Sequence, residues 1–204
     1  MEFGSRNEGS RKSEEEKINM SPIKLRYLAE EALWIGVNEE NDPKAMDYVA
    51  ERISSQLIGY KHGNSALTEA YETAMEIRRT ENAYDKIKNL NKLGRLLIEH
   101  EMRPGEKMPE PDEAEKEKLR CVQEEALNLG IKKERGREIG IEEASYIARR
   151  IANRLLQYNE AQSPLAEAWK KANELAAIKD VESIITSLKE VSRLISENEI
   201  RKKR

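Results

Sequence analysis

The segment 24–36, KLRYLAEEALWIG, returns as 118–130, KLRCVQEEALNLG, with eight of thirteen residues unchanged. Beyond a four-residue insertion within 131–140 the correspondence runs on at an offset of 98, giving 26 identities in 70 aligned positions. Ordinary amino-acid frequencies would give about four. The chain therefore reads as a tandem duplication of a unit of roughly 80 residues, so one folding pattern must serve twice.

That pattern is helical. In the first copy apolar residues fall three and four apart, as in Leu25, Leu28, Ala29 and Ala32, then Val49, Ala50, Ile53 and Leu57, then Leu67, Ala70 and Ala74, then Leu90, Leu93 and Leu97. The second copy repeats the spacing, which places each set on one face of a helix and suits no strand. With 37% of residues charged and only 5% aromatic, the composition also favours helix over sheet. Helix starts are marked by Ser21-Pro22, Asp42-Pro43, Ser65, Asn82, Ser163-Pro164 and Asp180, whose side-chain oxygens can accept from the unpaired N–H groups of a first turn.

The expected fold is all-α: a tandem duplication of a four-helix unit, two helical bundles packed pseudo-symmetrically. Residues 1–20 read as a cloning remnant (Met1-Glu2-Phe3-Gly4-Ser5) and a leader with no apolar face, expected to be disordered. Repeat 1 then spans 21–103, an acidic, proline-punctuated linker 104–113, and repeat 2 with a basic tail 114–204.

Cys121 is the one cysteine, so neither an internal disulfide nor a cysteine zinc site is available, and a reducing, cytoplasmic setting is expected. No apolar run reaches membrane-spanning length. Phosphate loops, dinucleotide fingerprints, nucleophile elbows and histidine zinc motifs are absent from the sequence, so no cofactor, metal or catalytic residue is expected. Arg95-Leu96-Leu97-Ile98-Glu99-His100 resembles, in this six-residue motif alone, the Arg-x4-His of HEPN-type helical ribonucleases. The resemblance implies a histidine and an arginine acting on an RNA backbone; the second copy departs from it, carrying Arg193 but Asn198. The other reading of Arg95 and His100 is positive charge suiting a helix C-terminus.

The adjacent carboxylates Glu30-Glu31 and Glu124-Glu125 read as a solvated helix face, because neighbouring helix positions diverge by about 100° and cannot share an ion unaided. Polar residues kept between copies are more informative: Arg52 matches Arg150, Glu69 matches Glu167, Arg95 matches Arg193, Glu99 matches Glu197 and Tyr60 matches Tyr158. They form either inter-helix ion pairs with tyrosines packed at helix ends, or a repeated binding surface. Trp34 matches Asn128 and so is not required by a shared core; it is either an interface anchor or a cover over the gap between the bundles.

Charge divides the halves. Residues 21–103 hold twelve basic against fourteen acidic side chains, and 114–204 hold nineteen against sixteen. Lys132, Lys133, Arg135, Arg137, Arg149 and Arg154 make a candidate nucleic-acid patch, set against an overall pI of about 5.7 and little aromatic interleaving. The expected function is a non-enzymatic helical protein–protein interaction module, with Trp34, Arg52, Tyr60, Arg150 and Tyr158 as partner-binding residues. Nucleic-acid binding is the alternative, and a ribonuclease the third reading. A protein partner is expected, and no membrane.

Overall fold

The computed structural model describes residues 20–37, 42–63, 65–101, 110–160 and 162–202. These are all-helical, with eight α-helices and no strand among the described residues. The helices are α1 (Pro22–Val37), α2 (Pro43–Gln56), α3 (Ala66–Arg79), α4 (Ala83–Glu101), α5 (Pro111–Glu134), α6 (Ile141–Leu155), α7 (Pro164–Glu174) and α8 (Val181–Lys202). Short 3-10 turns, Ile58–Tyr60 and Leu156–Tyr158, follow α2 and α6, and a third, Leu175–Ala177, follows α7.

All six expected caps form. Ser21, Asp42, Asn82, Ser163 and Asp180 each accept from a backbone N–H two or three residues on, and Ser65 closes a reciprocal capping box with Thr68. The four-residue insertion lengthens α5 to Glu134 and then turns the chain at Gly136, whose φ of 82° is a conformation that a side chain disfavours.

α1 packs on α4, α4 on α3 and α3 on α2; α5 packs on α8, α8 on α7 and α7 on α6. Gly94 permits close approach in the first set, since a Cβ there would stand 2.6 Å from Leu33 Cγ. The two sets meet where α1 packs on α5 and α2 on α6, and one continuous apolar core runs through both. Its members include the expected stripes, from Leu25, Leu28, Val49 and Ile53 to Ile147, Ile151, Leu188 and Val191.

Two boundaries differ from the sequence reading. Met20, assigned to the leader, is buried in the core and its N–H reaches the Tyr60 hydroxyl at 3.3 Å; residues 1–19 lie outside the described residues. The acidic stretch 111–113, assigned to the linker, is the first turn of α5, where Pro111 supplies a fixed φ and Asp112 and Glu113 suit the positive end of the helix. Residues 102–109 lie outside the described residues.

Candidate functional site

Where α1, α2, α5 and α6 converge, the core holds four charged side chains. Glu31 comes from α1, Arg52 from α2, Glu125 from α5 and Arg150 from α6, and none is more than 4% exposed. Arg150 meets Glu125 as a fork, Nε to Oε1 at 2.7 Å and Nη2 to Oε2 at 2.6 Å. Arg52 pairs with Glu31. The pairs are cross-linked, Arg150 Nη2 lying 3.3 Å from Glu31 Oε2 and Arg52 Nη1 3.7 Å from Glu125 Oε2. Two positive and two negative charges cancel, which is what permits their burial.

Tyr27 completes the cluster, its hydroxyl donating to Glu125. The guanidinium carbons of Arg154, Arg150 and Arg52 lie 4.6, 5.6 and 5.7 Å from its ring centroid, within the range where a cation is drawn to an aromatic face. Burial would raise the Glu125 carboxyl, but Arg150 and Arg52 outweigh it and hold that group at about 2. Burial, reinforced by Glu125, keeps the Tyr27 phenol well above its ordinary range. The cluster is not even: Glu31 Oε1 and Arg150 Nη1 have no hydrogen-bond partner among the described residues. In the alignment of 24–36 with 118–130, the position of Tyr27 is taken by Cys121, whose side chain ends well short of a phenol hydroxyl.

This placement corrects two readings. Glu31 and Glu125 are not part of a solvated face: the 100° step between neighbours leaves Glu30 and Glu124 in solvent and turns Glu31 and Glu125 inward. Arg52 and Arg150, expected to bind a partner, are instead sealed in the core by those carboxylates and have no surface to offer. The available signal was that Arg52 aligns with Arg150 and Glu31 with Glu125, a recurrence of opposite charges that suits a buried pair as well as a solvated one.

The matched tyrosines fasten helix starts. Tyr60 is half-buried and takes the Met20 N–H just before α1; Tyr158 donates to Glu115 Oε1 at 3.2 Å in the first turns of α5. Burial and Glu115 push the Tyr158 phenol up to about 12. Trp34 crosses the seam: half-buried, it lines a shallow depression with Trp169, Arg149, Ala152, Asn153, Leu156 and Asn173, all from α6, α7 and the turn between them. Its match Asn128 acts differently, donating to the Tyr48 hydroxyl at 3.0 Å.

Most of the candidate nucleic-acid patch is engaged with carboxylates. Lys132 stands 3.3 Å from Glu51 and 4.1 Å from the Tyr48 ring centroid, Lys133 pairs with Glu182, Arg137 with Glu51 and Glu143, and Arg154 with Glu30. Arg135 and Arg149 are exposed. Four of the six cations are therefore taken up in ion pairs, Lys132 and Arg137 sharing Glu51, which breaks up the field the sequence suggested. Arg95 is exposed and His100 half-buried, both on α4, where five positions separate side chains by about 140° around the axis.

A groove of about 510 Å³ opens beside the charged cluster, where α1, α5 and α6 meet. Ile23, Tyr27, Leu119, Val122, Leu156 and Tyr158 give it an apolar interior, and Arg26, Lys118, Arg154 and Glu30 its charge. Among the described residues no group of three or more histidine, cysteine or acidic side chains is arranged to hold a metal, and no helix is long and apolar enough to cross a membrane. Compared with protein-family models, curated proteins and solved structures, the chain finds no match.

Proposed function

We propose that the chain is a non-enzymatic interaction module, two fused copies of one four-helix unit packed about an approximate twofold axis, whose seam presents a binding surface to a protein partner. The duplication is supported by the 26 identities, by the like order in which α1–α4 and α5–α8 pack, and by the Glu31–Arg52 and Glu125–Arg150 pairs at matching positions. A cytoplasmic setting goes with this reading, since the single cysteine, Cys121, is buried and forms no disulfide.

Trp34 carries the functional part. A tryptophan with no counterpart in the other copy bridges the seam, and beside it Leu156 leaves about half of its surface in water. Large apolar side chains gathered at one accessible place, next to arginine, have the composition of interface anchors. The charged cluster beneath serves this surface by fixing the two halves in register, the role in which buried polar groups are best attested.

The test is a photo-crosslinking amino acid placed at position 156 and, as a control, at the exposed Tyr84, in the full chain within its own cell extract. A discrete protein adduct at 156 and none at 84 supports the module. Adducts to nucleic acid at 156 would replace it with the nucleic-acid reading.

A further inference from the structure

Where the first turns of α5 pass the end of α8, a cavity of about 320 Å³ opens. That is the small end of ligand sites, which begin at about 300 Å³, and it suits a chain end rather than a length of helix. Asn198 of α8 lines it. The Asn198 side chain is 7% exposed, and its Nδ2 is buried with no hydrogen-bond partner among the described residues. A buried polar atom left this way is costly and uncommon. Nδ2 is a donor, so the partner it lacks is an acceptor.

The rest of the lining asks for the opposite. Four carboxylates stand against two cations, with Leu119 as the apolar side. Glu117 is engaged by Ser21 at 3.2 Å and by Arg120 at 3.4 Å, and Glu115 by Tyr158 at 3.2 Å. Glu113 and Glu199 form no ion pair among the described residues, and the one further cation of the lining is Lys116. The cavity is negative on balance and calls for a cation.

An occupant must therefore join a positive charge to an acceptor within one small group. A metal ion offers no acceptor, and among the described residues no three acidic side chains are arranged to hold one. Lysine side chains carry only donors, as do polyamines. The free amino terminus of a polypeptide carries both, an ammonium with three N–H donors and, on the same residue, a carbonyl oxygen.

We infer that this cavity binds the free α-amino terminus of a partner protein, its ammonium meeting Glu113 and Glu199 and its first carbonyl oxygen accepting from Asn198 Nδ2. The site shares no residue with the depression of Trp34, so it goes beyond the seam surface and stands or fails without it.

The test uses the full chain and short peptides, labelled at the C-terminus and randomised in their first residues. Three pools are compared: free amino terminus, acetylated terminus, and acetylated terminus with lysine at the second position. By fluorescence anisotropy the free pool should bind about tenfold more tightly than either acetylated pool, the scale of one charge-assisted hydrogen bond. Glu113→Gln with Glu199→Gln, and separately Asn198→Leu, should each weaken the free pool by about fivefold, with Asp85→Asn unchanged. Glu113 and Glu199 are not buried, and Asn198→Leu removes an unpaired polar atom, so circular dichroism should show both variants folded. Should Asn198→Leu fail to fold, the glutamine pair alone decides. Equal binding of the free pool and either acetylated pool, no binding at millimolar peptide, or binding indifferent to the substitutions overturns the inference. A chain that crosslinks a protein through position 156 yet ignores every pool keeps the seam surface and loses this site.

Discussion

Arg150 of α6 grips Glu125 of α5 at two points, 2.7 and 2.6 Å, and with the same Nη2 reaches Glu31 of α1 at 3.3 Å. One guanidinium thus ties the second half to itself and to the first. Arg150→Met should destabilise the fold by about 3–5 kcal/mol, because two buried carboxylates are left with Arg52 alone. Replacing all four at once, Glu31→Leu, Arg52→Met, Glu125→Leu and Arg150→Met, should be neutral or stabilising, since the desolvation penalty goes with the charges. Urea denaturation of both variants checks this; equal losses would mean that the ion pairs themselves, and not their mutual compensation, hold the seam.

Acid should unfold the protein through Glu125. Its carboxyl is held at about 2 in the folded chain against an ordinary 4.5, so the stabilisation is fully present above pH 4.5 and is lost as pH falls toward 2. The loss over that window is on the order of 3 kcal/mol. Urea midpoints at pH 7, 5 and 3 should fall mainly between the last two, and Glu125→Gln, less stable at pH 7, should show a shallower fall.

Tyr27→Phe removes the hydroxyl that donates to Glu125 and keeps the ring under the guanidiniums of Arg52, Arg150 and Arg154. A hydrogen bond to a buried charge should cost about 1.5–3 kcal/mol when lost. Thermal melts should show the drop together with a rise in the Glu125 pKa followed by carboxyl NMR. A melt unchanged from the parent would mean that the arginines alone satisfy Glu125.

The helices, their caps and the core stripes were legible because each depends on local spacing and on one or two residues at a helix start, as at Asp42-Pro43 and Ser163-Pro164. The charged cluster was half legible. Arg52 and Arg150 stood out as matched polar residues, but Glu31 and Glu125 read as a solvated face, because whether Glu31 faces water or core depends on how α1 meets α5, a contact between segments about 94 residues apart that no local pattern encodes. The same dependence hid the groove, whose lining from Ile23 to Tyr158 is assembled only at the seam. Basic residues misled for a related reason: a run such as Lys132-Lys133 looks cationic in one dimension, while its partners Glu51 and Glu182 arrive from α2 and α8.

Lys132 gives the seam an alkaline signature. Burial pulls its ammonium down to about 8, against the pull of Glu51 at 3.3 Å, while in an unfolded chain it titrates near 10.4. Between those values the unfolded chain binds more protons than the folded one, so stability from this group rises with pH through that window. From pH 7.5 to 9.5 the gain should be about 1–2 kcal/mol. Above pH 10 it is opposed by Tyr27 and Tyr48, whose phenols burial raises, so that the unfolded chain loses those protons first. Urea denaturation at the two pH values checks the rise, and Lys132→Met should flatten it. A slope that persists in Lys132→Met would assign the titration to another group, whereas its loss would mark this lysine as the cation that α2 and α5 bury together against Tyr48.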